Sequence, residues 1–142
     1  MITVGEQRFE SESLICSIAE EIPELEIIDE GEVTEGVYCW AYKNPNDNEK
    51  DLGLVLVKAG YSTPRQLVFK GEKTVEVFFA GKGKFYIERG SDILEFVCDE
   101  NRIFEMEVLV GDIMHWEAAE DSDLIFYEIC YPPFTKGRFL TV

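Results

Sequence analysis

The chain has 142 residues, 46% of them hydrophobic and 13% aromatic, close to one typical domain of ~150 residues and enough apolar material for one buried core. Thirteen basic against twenty-nine acidic side chains leave a net charge of −16, a surface that repels phosphate backbones and anionic lipid headgroups, so neither nucleic acid nor a membrane is an expected partner. No run approaches the roughly 18 consecutive apolar residues of a membrane span, and the opening MITVGEQRFESES is too polar for a signal peptide, so a cytoplasmic location is expected.

In chain order, the first predicted element is a helix over residues 11–22. Leu14, Ile15, Ile18, Ala19 and Ile22 fall at helical spacing, Ser11 or Ser13 is placed to cap it, and Pro23 marks its end. Strand follows strand from there. Segments 37–42, 52–57, 74–79, 84–88, 93–98, 103–110 and 124–131 are short and rich in β-branched and aromatic residues. Turn material separates them: NPNDNEKD at 44–51, GKG at 81–83, RGSD at 89–92 and DEN at 99–101. Within FEMEVLV, Phe104, Met106, Val108 and Val110 face one way and Glu105 and Glu107 the other, the pattern of a half-buried antiparallel sheet. Many short strands with glycine-rich turns predict an all-β sandwich or small barrel.

The cysteines, Cys16, Cys39, Cys98 and Cys130, include no C-x-x-C pair, which removes the common zinc-ribbon and thioredoxin signatures and leaves reduced, packing thiols as the expectation. AGKGK at 80–84 lacks the spacing of a phosphate-binding loop and belongs to a hairpin turn. The 44–51 loop lacks the glycine and terminal glutamate of a calcium-binding loop.

The stretch LVFKGEKTVEVFFAGKG (67–83) resembles the first motif of the cupin superfamily, H-x-H, three or four residues, E, six residues, G, with Glu76 and Gly83 at the required separation. VLVGDIMHWEAAEDSDLIFYEICYPPF resembles the second cupin region: a Gly-Asp turn, a histidine, then a strand running into a proline pair. The resemblance covers roughly residues 52–134. It implies a double-stranded β-helix, or jelly-roll barrel, over residues 46–142, preceded by a 1–45 extension with a short helix packed on the barrel. A homodimer is also implied, both by family habit and because uncovered sheet edges invite pairing. Tails such as YPPFTKGRFLTV often cover a neighbouring subunit's sheet in this family.

The resemblance also implies a metal held by three histidines and a glutamate, and here the sequence departs from it. The first-motif histidine positions hold Lys70 and Glu72, or Phe69 and Gly71 in the other register. The spacing from Gly111 puts Ser122 at the second-motif histidine position, and His115 is the chain's single histidine. No metal is therefore expected. A carboxylate-rich site of Glu72, Glu76 and His115 is the disfavoured variant, since Lys70, on the same strand face by parity, repels a cation.

Two uses of the barrel follow. Binding of a small polar ligand, a sugar or similar metabolite, would draw on Gln66, Glu72, Glu76, Phe78, Trp116 and Tyr127, because ligand sites combine apolar walls with a few placed polar groups. The alternative is sugar isomerase or epimerase chemistry, in which His115 serves as acid and base, Tyr86 as proton donor and Glu128 as orienting carboxylate.

Overall fold

The computed structural model describes residues 2–4, 7–20, 25–100, 102–135 and 137–142. Strands β1 (Ile2–Val4) and β2 (Gln7–Phe9) form a hairpin leading into α1 (Ser11–Glu20). Then come β3 (Glu26–Thr34), β4 (Val37–Lys43), β5 (Leu52–Val57), β6 (Gln66–Val68), β7 (Lys73–Gly81), β8 (Gly83–Arg89) and β9 (Asp92–Cys98). The chain closes with β10 (Glu105–Leu109), β11 (Ile113–Ala118), β12 (Leu124–Tyr131) and β13 (Phe139–Thr141). Two antiparallel sheets result, one in the order β10-β7-β12-β5-β4-β3 and one in the order β13-β6-β11-β8-β9. Among the described residues no helix is long and apolar enough to cross a membrane.

The alternation that marks these segments as strands also divides their side chains between two cores. Val37, Val55, Val57, Phe78, Leu124 and Phe126 of the larger sheet meet Val68, Phe85, Ile87, Met114 and Trp116 of the smaller one, forming the barrel interior. The alternate residues Leu54, Leu56, Ala80 and Ile125 face outward, where Ile2 of β1 and Ile15 of α1 cover them. Leu14 and Ile15 of the helix thus pack on a sheet rather than on another helix. The expected helix stop at Ile22 and Pro23 lies outside the described residues. The hydroxyl of Ser11 does not cap the helix; it donates to Asp123 Oδ2 at 2.7 Å.

Strands β3 and β4 fall inside the expected extension, yet β4 pairs along its length with β5, and Val37 and Cys39 contribute to the barrel interior. The last strand, β13, pairs with β6 of its own chain, Leu140 opposite Leu67. Strands β1, β2, β3, β6, β11 and β13 add to the predicted set. Val110 departs from the alternation expected of FEMEVLV: β10 ends at Leu109, and Val110 is exposed in the turn that follows.

Only Lys82 separates β7 in one sheet from β8 in the other, so the chain crosses between layers in the smallest available space. A Cβ on Gly81 would strike the Asp123 carbonyl oxygen, and one on Gly83 the Glu117 carbonyl oxygen. Gly81 also has φ +97°, a conformation that side chains other than glycine's resist. The GKG turn is therefore a steric requirement of a sheet-to-sheet crossing and not the expected hairpin turn, because β7 and β8 pair in different sheets.

Candidate functional site

The inner wall of the larger sheet carries one row of side chains that breaks the apolar pattern. Across β4, β5, β12, β7 and β10 the residues in register are Ala41, Gly53, Glu128, Glu76 and Met106. Glu76 and Glu128 are direct cross-strand partners, and strand parity turns both toward the barrel interior with Phe78 and Phe126. Glu76 is fully buried. Glu128 keeps partial exposure at the surface while its carboxyl lies deep in the protein.

Two carboxylates placed side by side can only accept hydrogen bonds, and neither oxygen of Glu76 has a donor partner. A proton resolves this. Burial pushes the Glu76 carboxyl well above its ordinary range, and the charge of Glu128 and a hydrogen bond to it push the same way. Burial also raises Glu128; the bond from Glu76 and the charge of Arg138 oppose the rise, and Asp51 adds to it. Both carboxyls are thus pushed upward, Glu76 well above its ordinary range, and the two acids titrate as a pair. Two thiols face the same region. Burial, then Glu128, drives Cys39 up to about 12 and Cys130 also upward.

Beside the dyad stands Trp116, sandwiched between Phe85 at 4.1 Å and Phe126 at 4.2 Å. Its indole edge faces Glu76 closely enough to favour the ionised carboxyl, yet Nε1 makes no hydrogen bond, and neither does Thr74 Oγ1. Trp116 Nε1, Thr74 Oγ1 and both Glu76 oxygens are thus buried polar atoms without a hydrogen-bond partner.

Arg138 closes one side of this region. Its Nη1 donates to Pro132 O at 2.6 Å, and its Nη2 to Lys73 O at 2.6 Å and Tyr131 O at 2.7 Å. Gly71, at φ +103°, makes room for it: a Cβ there would sit 2.6 Å from the guanidinium carbon. Nothing in the local sequence around Arg138 marks this role, since its partners lie on two other segments.

The residues expected at the site separate into three places. Glu76, Phe78 and Trp116 face the interior, as does Glu128, and Gln66 shares its strand face with Val68 of the interior core. Tyr127 faces outward and stacks on Phe79 at 5.2 Å. Glu72 and Lys70 lie in the loop before β7 rather than on the strand, so parity with Glu76 does not align them. Glu72 instead lines an open surface groove of about 460 Å³ with Glu49, Lys73, Tyr131 and Pro132.

His115 and Tyr86 lie on the outer face of the smaller sheet, as cross-strand partners with rings 4.6 Å apart and nearly parallel. His115 Nε2 is 3.4 Å from Glu117 Oε1. The interior positions of that strand belong to Met114 and Trp116. The structure therefore separates His115 and Tyr86 from Glu128 by the thickness of a sheet, and the trio Glu72, Glu76 and His115 occupies a loop, the interior and the outer face. The three-histidine metal set also lacks the residues to build it. Among the described residues no group of three His, Cys, Asp or Glu side chains is placed to hold a metal ion.

No family model and no curated protein matches this sequence. Solved structures do match. The capsular polysaccharide assembling protein CapF from Staphylococcus aureus aligns at 13% identity and TM-score 0.64, over 83% of this chain and 34% of its own. Oxalate decarboxylase from Lactobacillus farciminis, in its formate complex, aligns at 14% identity and TM-score 0.66, over 85% and 34%. The Bacillus subtilis oxalate decarboxylase, described with Mn(II) centres, aligns at 16% identity and TM-score 0.64, over 85% and 31%. The chain spans about a third of the length of these proteins. Its fold is the cupin jelly roll.

Proposed function

We propose that this chain binds a small polar ligand, a sugar or similar metabolite, at the Glu76–Glu128 pair, without the three-histidine metal site that the cupin resemblance implies. The observation that carries the reading is the buried carboxyl pair beside an indole N–H that has no partner. Buried polar groups are almost always satisfied, and an exception points to a bound water or ligand. The carboxyl oxygens of the pair can accept from hydroxyl groups, and Trp116 can donate to an oxygen, which together suit a polyhydroxylated molecule. Gln66 and Phe78 supply a further polar group and an apolar wall.

A thermal-shift screen of monosaccharides, amino sugars and polyols tests the reading. At least one compound is expected to raise the melting temperature of the wild-type chain and to have no effect on a Glu76→Ala, Glu128→Ala double variant. A flat response across the panel overturns it.

A homodimer belongs to the same proposal. Its support is the edge strands β3 and β9, which expose Ile27, Ile28, Val33, Ile93 and Val97.

A further inference from the structure

We infer that the ligand of the Glu76–Glu128 site is a small hydroxylated primary amine, whose ammonium group sits on the carboxyl pair and whose hydroxyl oxygen accepts from Trp116 Nε1. The inference rests on the binding reading above and narrows its ligand class.

Three features of the interior converge on it. First, the thiols of Cys39 and Cys130 lie in the interior near the pair, and the nearest further charge is Asp51, whose carboxylate accepts from the Cys130 and Phe134 N–H groups. Among the described residues Arg138 is the cation acting on Glu128; its Nη1 and Nη2 are committed to three backbone carbonyls, and only its Nε–H is without a partner. A negative charge in a low-dielectric interior is costly unless a cation meets it, and an ammonium offers that charge together with three donors for the carboxyl oxygens.

Second, Trp116 Nε1 is a buried donor with nothing to accept from it. An amine alone would leave it unsatisfied, whereas a hydroxyl on the neighbouring carbon of the same ligand supplies the missing acceptor. Both faces of the indole are occupied by Phe85 and Phe126, so Trp116 contributes its edge rather than a cation–π face.

Third, the row that holds the pair continues on its Glu128 side into Gly53 and Ala41, two residues with little or no side chain. Glu128 is the partly exposed member of the pair. The Glu128 side, bordered by these small residues, leaves more room for a compact ligand than the Glu76 side, where the stacked rings of Phe85, Trp116 and Phe126 fill the interior.

Calorimetric titration with two matched pairs decides the matter: ethanolamine against ethylene glycol, and D-glucosamine against D-glucose, near 0.15 M NaCl to screen the acidic surface. The members of each pair differ by an ammonium in place of a hydroxyl. The expected result is at least tenfold tighter binding of the amine in one or both pairs, with one site per chain, and loss of that preference in Glu128→Gln. Equal binding within each pair overturns the inference while leaving the broader binding reading intact. Binding of none of the four overturns the inference, and a flat response in the wider thermal-shift panel then removes the binding reading too. A preference that survives in folded Glu128→Gln reports attraction to the acidic surface and overturns the inference. Should Glu128→Gln fail to fold, the wild-type pairs still decide against it if the amines show no advantage.

Discussion

The hydroxyl of Ser11 and the carboxylate of Asp123 meet at 2.7 Å, although 112 positions separate them in the chain. The bond ties the first residue of α1 to the start of β12 and so fixes the helix to the outer face of the larger sheet. The same carboxylate accepts from the Ala59 N–H at 2.8 Å and pairs with Lys58 at 3.1 Å.

Asp123 is consequently expected to govern acid stability. Burial favours its protonated form, but the bonds from Ser11, Ala59 and Lys58 overcome this and lower its carboxyl to about 2. A lowered carboxyl contributes stability above its unfolded value of 3.8, lost as pH falls through about 2. Asp123→Ala should cost on the order of 2–3 kcal/mol at neutral pH, since it strands a buried hydroxyl and a backbone N–H. Its urea unfolding midpoint should also lose the wild-type drop between pH 4 and 2.

Glu76 works in the opposite direction. Its carboxyl is held above the ordinary 4.5 by burial and by Glu128, so the native chain retains a proton that the unfolded chain releases. Stability therefore falls as pH rises above 4.5. Glu76→Gln keeps a donor toward Glu128 and carries no charge. It should flatten the pH dependence between 5 and 8 and raise the urea midpoint at pH 8.

Arg138 is 1% exposed and joins the residues on either side of the Tyr131–Pro132 bond to the start of β7. Arg138→Met retains the aliphatic stem but removes three hydrogen bonds to backbone carbonyls, of which Tyr131 O keeps the Glu72 N–H at 2.9 Å, at a cost of about 2 kcal/mol or more. Denaturant melts of this variant against Arg65→Met, which loses only the exposed pair with Glu88, should separate the buried clasp from a surface ion pair.

The four thiols should divide by burial. Cys16 is exposed, whereas burial raises Cys39 and Cys98 to about 12 and Cys130 higher still. A thiol reagent at pH 8 is expected to modify one cysteine rapidly in the native chain and all four in denaturant, because the thiolate is the reactive form.

Sedimentation at micromolar concentration checks the proposed dimer. A species of twice 16.3 kDa is expected, and a single species at the monomer mass removes it.

Much of the strand order was legible because period-two alternation survives in segments such as 104–108, where apolar and acidic residues take turns. It failed where neither face is distinctive. β3 is exposed along its whole length, so EIIDEGEVT carries no burial signal. IMHWEA in β11 places apolar residues on both faces, which is why parity alone did not reveal that Trp116 points in and His115 out. The loop geometry of Lys70 and Glu72 was likewise hidden, since β7 begins only at Lys73.

The sequence by itself determined the type of most elements, a glycine turn at 81–83, the cupin rhythm and the shortage of histidine, all of which depend on local pattern or residue count; that the turn crosses between sheets was decided by the tertiary structure. Only the tertiary structure decided which carboxylates meet. Glu76 and Glu128 are 52 residues apart, and their pairing follows from the β7–β12 register. That register is set by the summed packing of both sheets around Trp116 and Phe126 rather than by any property of the two glutamates. The same global fit turned His115 to the outer face and moved the candidate site from the histidine to the acid pair.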